Sequence, residues 1–302
     1  MILQAAGLNK WYGRVIALND VTLSVDAGIT GLLGPNGAGK TSFMRISIGL
    51  MQESSGTITV LGERPWNNPG LAVRLGYCPE HDGFYEWMSG REFTTALARI
   101  RGLRNPSRAA SEALERVRLA EVADRRISTY SRGMRQRLKI AQSIVHGPQL
   151  LVLDEPLTGC DPLVRRELIA LIKSFAQEGR SVIVSSHVLH EIEQLTRRIV
   201  LIHRGRLVAE GDVREIRGLI DRHPHTVRVK TDRPRDLAAA LAGVPEVLEI
   251  RFDDGAVWIR TPKPDVFYGT LPRLALERGC AVAEIQSPDD NLEAVFRYLT
   301  ET

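Results

Sequence analysis

Residues 34–41 read Gly34-Pro35-Asn36-Gly37-Ala38-Gly39-Lys40-Thr41, the complete pattern G-x-x-x-x-G-K-[ST]. A short apolar run, Ile29 to Leu33, precedes it and predicts a strand. Ser42 to Leu50 follows with helical spacing, with Phe43, Ile46 and Leu50 on one side. Strand, glycine loop and helix are the context in which this pattern cradles phosphates. The glycines let consecutive backbone N–H groups turn inward, and the helix N-terminus adds its positive end. Lys40 then reaches the terminal phosphates, Ser42 stands in the first helical turn, and Thr41 offers a hydroxyl to Mg²⁺. A nucleoside triphosphate is the expected ligand of residues 34–42.

Length and composition narrow the setting. A chain of 302 residues can hold one large core and a smaller second domain. Its 43% hydrophobic and 25% charged residues are ordinary for a globular protein. A net charge of +4 is small for this length and gives no reason to expect a nucleic-acid partner. No apolar run approaches the roughly 20 residues that cross a bilayer. No signal peptide is expected from the first residues. Cys78, Cys160 and Cys280 are widely spaced, which suits neither a disulfide framework nor a zinc site and predicts a reducing compartment.

Periodicity divides the chain. Ile2–Leu8 and Val21–Val25 alternate and predict antiparallel strands, and Gly56–Leu61 predicts a further edge strand. Residues 90–147 carry helical periodicity over 91–101, 108–119 and 132–146, which predicts a helical insert. Strand and helix then alternate through Leu150–Asp154, Arg165–Gln177, Val182–Ser185, His187–Gln194 and Ile199–His203, implying a parallel sheet covered by helices. Arg204-Gly205 reads as a hairpin turn. After a charged break at Leu219–Pro224 comes the order strand 225–231, helix 234–242, strands 247–252 and 256–261, helix 265–278, strand 280–286, helix 290–299. Asp253-Asp254-Gly255 reads as a turn between the middle strands.

Three further segments carry chemistry. Leu150–Leu153 is an apolar strand ending in two acids, Asp154 and Glu155. Beside a phosphate loop, Asp154 is a candidate Mg²⁺ ligand and Glu155 a candidate general base. His187 follows an apolar strand at the same sheet edge and could bond a γ-phosphate; His190 is given no role. Ser131, Arg132, Gly133 and Met134 open a helix, with Ser131 as its expected cap. That second anion-binding helix start makes sense if it serves the nucleotide of a partner molecule.

These segments, in this order, resemble the nucleotide-binding subunit of ATP-binding cassette (ABC) transporters over roughly residues 1–217. The resemblance implies that Tyr12 stacks on adenine, a suitable use of an aromatic face. It implies that residues 131–135 contact ATP on the opposite subunit, and that Leu157–Asp161, with Asp161 as its acid, is where the subunits sense each other. The chain departs from the usual signature at Arg132, where glycine is common, and at Met134, where glutamine is common. Glu80 replaces the glutamine that joins Mg²⁺ to the membrane coupling region. Leu157 and Cys160 replace threonine and leucine. The Ser-Arg-Gly-Met and Pro-Glu forms are similar to the export-type (ABC-2) branch, as is the appended C-terminal segment.

The resemblance implies an α/β P-loop ABC ATPase core over 1–219, with a parallel sheet, an antiparallel β subdomain and the helical insert. A small α+β domain over 225–302 follows. It further implies ATP and Mg²⁺, a homodimer or paired cassette, a separate transmembrane permease and a place on the cytoplasmic face of the membrane. A soluble ABC ATPase for assembly or repair is the alternative. It fits less well because the chain lacks coiled-coil or zinc insertions and carries a single cassette. A P-loop kinase or GTPase leaves Ser131–Arg137 unexplained.

Overall fold

A computed structural model describes residues 1–213, 224–253 and 255–287. The chain forms two compact units, Met1–Asp212 and Val213–Thr302.

In the first unit, β1 (Leu3–Tyr12), β2 (Val15–Val25) and β4 (Ser55–Val60) form an antiparallel sheet in the order β2-β1-β4. Their inward residues alternate with exposed ones, as one buried face requires. A second sheet has the order β5-β6-β7-β3-β8-β9. Its strands are β3 (Ile29–Leu33), β5 (Leu75–Cys78), β6 (Leu150–Leu153), β7 (Ser181–Ser186), β8 (Arg198–His203) and β9 (Arg206–Asp212). The first five are parallel and β9 is antiparallel to β8. All four residues of β6 are buried, which explains their unbroken apolar run. One apolar core joins the two sheets, from Leu3, Leu8 and Leu18 through Phe43 and Ile46 to Val152, Ile183 and Val200.

Parallel order puts the carboxyl ends of β5, β6, β7 and β3 at one edge, where ligands of such sheets bind. The helix α1 (Lys40–Ser47) leaves β3 at that edge. It stops short of the expected Leu50, which is exposed. Gly49 takes φ 75°, and the N–H groups of Gly49 and Leu50 bond back to Ile46 and Arg45, closing the helix end. The short α2 (Pro69–Ala72) and β5 carry too few residues for a period and are not among the expected elements.

The helical insert contains α3 (Gly90–Ile100), α4 (Pro106–Arg116) and α5 (Arg132–Ile144). Ser89 and Glu92 form a capping box on α3, Asn105 caps α4 and Ser131 caps α5. The following α6 (Pro162–Gln177) starts three residues before the expected Arg165, because Asp161 caps it and Pro162 opens it. The last helix of this unit, α7 (Leu189–Leu195), begins after His187. Arg204 and Gly205 have φ of 46° and 76° and close the β8–β9 hairpin as expected.

The second unit holds β10 (His225–Thr231), α8 (Pro234–Leu241), β11 (Glu249–Asp253), β12 (Ala256–Thr261), α9 (Pro264–Glu277) and β13 (Val282–Gln286). Its antiparallel sheet has the order β11-β12-β10-β13, and its own core includes Val227, Val229, Leu237, Leu241, Ile259 and Phe267. The expected helix 290–299 and Asp254 lie outside the described residues. Asp253 pairs with Ala256 across Gly255, whose φ is 67°.

His146 follows α5 in the sequence and lends the first unit a dependence on pH. Its Nε2 lies 2.9 Å from the Leu75 carbonyl and therefore carries the hydrogen, while the buried Nδ1 has no hydrogen-bond partner. Burial, and then the charge of Arg101, hold its pKa below the ordinary 6.5. The unfolded chain thus takes up this proton first as pH falls. The contribution is complete above about pH 6.5 and fades as pH drops through the folded-state value. Thermal melts from pH 7.5 to 5.5 are expected to show His146→Gln losing less stability than the unchanged protein. An equal loss would refute the assignment.

Candidate nucleotide site

The loop from Gly34 to Gly39 leaves β3 and turns into α1. Gly37 and Gly39 take φ of 80° and 107°. A Cβ on Gly39 would lie 2.4 Å from the Ala17 carbonyl oxygen, so no other residue fits there. Asn36 is exposed at the loop tip, while Ala38 is buried beneath it. Lys40 bends back under the loop. Its Nζ donates to the carbonyls of Gly34 at 2.6 Å and Pro35 at 3.3 Å. It also lies 3.3 Å from Glu155 Oε1, with both side chains 6% exposed. A buried charge pair of this kind holds only when other partners complete each group.

Asp154 and Glu155 follow β6. Asp154 is fully buried. Its Oδ1 accepts from Ser185 Oγ at 2.8 Å and its Oδ2 from the Tyr77 hydroxyl at 3.4 Å. Burial first, then the Asp154 charge, push the Tyr77 hydroxyl up to about 12, so it remains a donor. Among the described residues no cation pairs with Asp154. A buried carboxylate met only by neutral hydroxyls is an oxygen donor suited to a hard divalent ion. Thr41, the second residue of α1, is half-buried at the same sheet edge. This donor chemistry fits Mg²⁺. No group of three or more His, Cys, Asp or Glu among the described residues could hold a metal alone. A bound ion would therefore draw also on hydroxyl and phosphate oxygens.

Glu80 lies two residues beyond β5, at the same edge. Its carboxylate is exposed, 3.7 Å from His81 Nδ1, and its backbone carbonyl accepts from Lys139 Nζ at 2.5 Å. No described contact joins the Glu80 side chain to Asp154 or Thr41.

Glu155 has φ 48°, a left-handed conformation rare for a side chain of this size. Its N–H donates to Ser185 Oγ at 2.8 Å. Its Oε2 accepts from Thr158 Oγ1 and from His187 Nδ1, each at 2.9 Å. A carboxylate oxygen only accepts, so Nδ1 of His187 bears the hydrogen. Lys40, Glu155 and His187, predicted from three separate segments, are in direct contact.

Tyr12 ends β1, with its ring nearly half exposed rather than packed in the core. Its hydroxyl lies 2.7 Å from Met51 Sδ and 3.4 Å from Ser42 Oγ, beside the first turn of α1. Ser131 Oγ accepts from the Met134 N–H at 3.3 Å, as expected of a cap. Ser131 and Arg132 are exposed, and Gly133 faces Val164 of α6. No described hydrogen bond or ion pair joins Ser131–Met134 to the phosphate loop. Asp161 Oδ1 accepts from the N–H groups of Leu163 and Val164, so its carboxylate is engaged as a helix cap. Sequence reasoning missed Ser185, Thr158 and Tyr77. The available signals were a hydroxyl near the end of a buried strand and a threonine three residues beyond the acid.

The family profile described as ABC transporter matches residues 18–158. An uncharacterized ABC transporter ATP-binding protein, YxlF of Bacillus subtilis, is 34% identical over 98% of both chains. The bacitracin transport ATP-binding protein BcrA of Enterococcus faecalis is 33% identical over 99% of this chain and 96% of its own. The Nod factor export ATP-binding protein I of Cupriavidus metallidurans is 34% identical over 99% and 97%. This chain belongs to the ABC transporter ATP-binding proteins. The solved ATP-binding subunit of an ABC transporter agrees in shape, with a TM-score of 0.65 at 30% identity over 72% of this chain and 92% of that one. A dimeric cassette bound to ADP and Pi has the same fold, with a TM-score of 0.65 at 18% identity. As an ABC ATPase, the chain binds and hydrolyses ATP to power a transporter.

In this cassette Ser185 ties β7 to both acids. Ser185→Ala would leave the Glu155 N–H buried and unbonded and strip one donor from Asp154. Urea unfolding is expected to show a loss of about 1–3 kcal/mol. A loss below about 0.5 kcal/mol would show that the bridge contributes little.

Proposed function

We propose that the chain drives an export-type transporter as one of two head-to-tail cassettes closing on two shared ATP molecules. The observation that carries this reading is the buried Glu155, held by the buried Lys40 and by the exposed His187 at the edge where the phosphate loop opens. Phosphate oxygens entering the loop compete with Glu155 for Lys40, and a carboxylate so released can accept a proton from water. His187, bonded to Glu155 Oε2, keeps that carboxylate turned toward the γ-phosphate position. Thr41 and Asp154, with Glu80 from the neighbouring strand end, would hold Mg²⁺, which neutralises phosphate charge when bound. Tyr12 stands where adenine would stack. At the start of α5, Ser131 and Gly133 would serve the partner's nucleotide, and Asp161 would order the loop between the two sites.

Export is supported by the bacitracin and Nod factor relatives, which align along nearly the whole chain, second unit included. No described helix is long and apolar enough to cross a membrane. A separate transmembrane permease would supply the passage, with this subunit docked on its cytoplasmic face. The appended domain would stabilise the pair or tune its coupling.

Glu155→Gln keeps the shape of the acid and removes its basicity. It is expected to bind ATP normally, to lose hydrolysis by about 100-fold or more, and to accumulate as an ATP-bound dimer on size exclusion. Hydrolysis within a few-fold of the unchanged protein would sink the general-base role. Lys40→Ala is expected to weaken ATP binding itself, read by a fluorescent nucleotide.

Shared sites make a second, independent forecast. Lys40→Ala mixed with Ser131→Arg places both lesions in one composite site and leaves the other whole. Mixing should restore some ATPase activity that neither variant has alone. Verified heterodimers with no recovery would count against shared sites.

A further inference from the structure

The start of α5 touches the loop that follows the catalytic acid, within the same subunit. A Cβ placed on Gly159 would fall 1.8 Å from the Cζ and Nη2 of Arg132. The guanidinium therefore lies against the Gly159 backbone, in space that any side chain at 159 would need. Gly159 also takes φ 69°, a left-handed conformation that demands glycine there. The loop is wound tightly onto Glu155. The Thr158 N–H bonds to the Glu155 carbonyl at 3.3 Å, and the Cys160 N–H bonds to that of Leu157 at 3.3 Å. Thr158 Oγ1 then donates to Glu155 Oε2 at 2.9 Å. At its far end Asp161 pins the loop to α6.

Arg132 is also unlike its neighbours. Arg135 grips Glu86 through two hydrogen bonds, and Arg137 pairs with Glu167. Among the described residues Arg132 has no carboxylate partner. Its guanidinium instead packs on the glycine of this loop, beside Cys160.

We propose that Arg132 is a positioning residue that acts through Gly159 and Thr158 to set the orientation of Glu155 in its own subunit. This rests on the head-to-tail reading above. When the partner's nucleotide engages Ser131 and Gly133, the start of α5 shifts and carries Arg132 with it. The packing of the guanidinium on the Gly159 backbone changes with it, which shifts the loop and loosens the Thr158 bond to Glu155. The state of one composite site thereby reaches the acid of the other. The competing role, a direct charge on the partner's phosphates, predicts dependence on the opposite subunit.

Mixed dimers separate the two. In the first pairing one subunit carries Arg132→Gly and its partner Glu155→Gln, so the working acid sits beside the missing arginine. In the second, an unchanged subunit meets a partner carrying both substitutions, so the working acid keeps its own Arg132 and faces a signature without one. The reference pairs an unchanged subunit with Glu155→Gln. Glycine is the usual family residue at 132, and Ser131 still caps the helix. Single-turnover hydrolysis of bound ATP is expected to fall on the order of tenfold in the first pairing, from a misplaced acid, and to hold within about twofold in the second. The reverse pattern, equal losses, or no loss in either pairing would overturn the proposal.

Thr158→Val is expected to lower kcat on the order of tenfold with KM nearly unchanged, and Thr158→Ser to restore it. An unaltered kcat in Thr158→Val would remove the path. If dimers with one working acid do not turn over, the homodimers decide. Arg132→Gly and Thr158→Val together should cost no more than either alone, and additive losses would overturn the coupling. Hydrolysis by dimers carrying Glu155→Gln on both sides would instead refute the general-base reading on which this inference stands.

Discussion

The buried pairing of Lys40 with Glu155 is the interaction around which the site is organised. Either charge alone would be costly in that position. Lys40 is further satisfied by two loop carbonyls, and Glu155 by Thr158 and His187. These partners lie in the segments that follow β3, β6 and β7, so the cluster forms only when those strands lie side by side in register. The sheet order β6-β7-β3 does this, with Leu153 opposite Val184 and Leu33 opposite Ser186. Fold and chemistry are therefore one constraint: the parallel sheet exists with polar ends, and those ends are stable because they meet.

Ser185 shows how the scaffold prepares that meeting. One hydroxyl donates to Asp154 and accepts from the backbone of Glu155, so a neutral side chain from β7 fixes both acids of β6. The left-handed turn at Glu155 is a strained conformation, with a cost of order 1–3 kcal/mol. Strain of this kind persists only where surrounding contacts over-determine it. Here the Ser185 bond to the N–H and three contacts to the carboxylate do so. The turn lets the chain leave the strand abruptly and double the carboxylate back toward Lys40.

Much of this was legible from sequence because the phosphate loop, the acid pair and the apolar strands are local patterns. Gly34–Thr41 and Leu150–Glu155 specify their own backbone, and the hairpin at Arg204-Gly205 does likewise. The helix end at Ser47 was not legible from periodicity, since Leu50 continues the apolar spacing while Gly49 closes the helix. Thr158 and Ser185 were invisible for another reason. Their meaning is a hydrogen bond to a residue fixed by the fold, and neither spacing nor composition distinguishes them from other hydroxyls. Asp161 stands out in the sequence as a loop acid, but its capping of α6 depends on where that helix starts.

Arg132 is the position where local and global demands conflict. The first turn of a helix disfavours positive charge, by about 0.3–1 kcal/mol at an exposed site. Arg135 and Arg137, close behind it, add like charge, although each is compensated by a glutamate. Helix stability alone would favour an acid over an arginine at 132. Its guanidinium lies against Gly159, in the loop that holds Glu155. In the proposed dimer, a residue unfavourable for its own helix and seated against Gly159 would join the end of the cassette that faces a partner to the acid that serves its own nucleotide. The departure from the usual signature is thus read as a change in how the two sites would be connected, while Ser131 still caps α5.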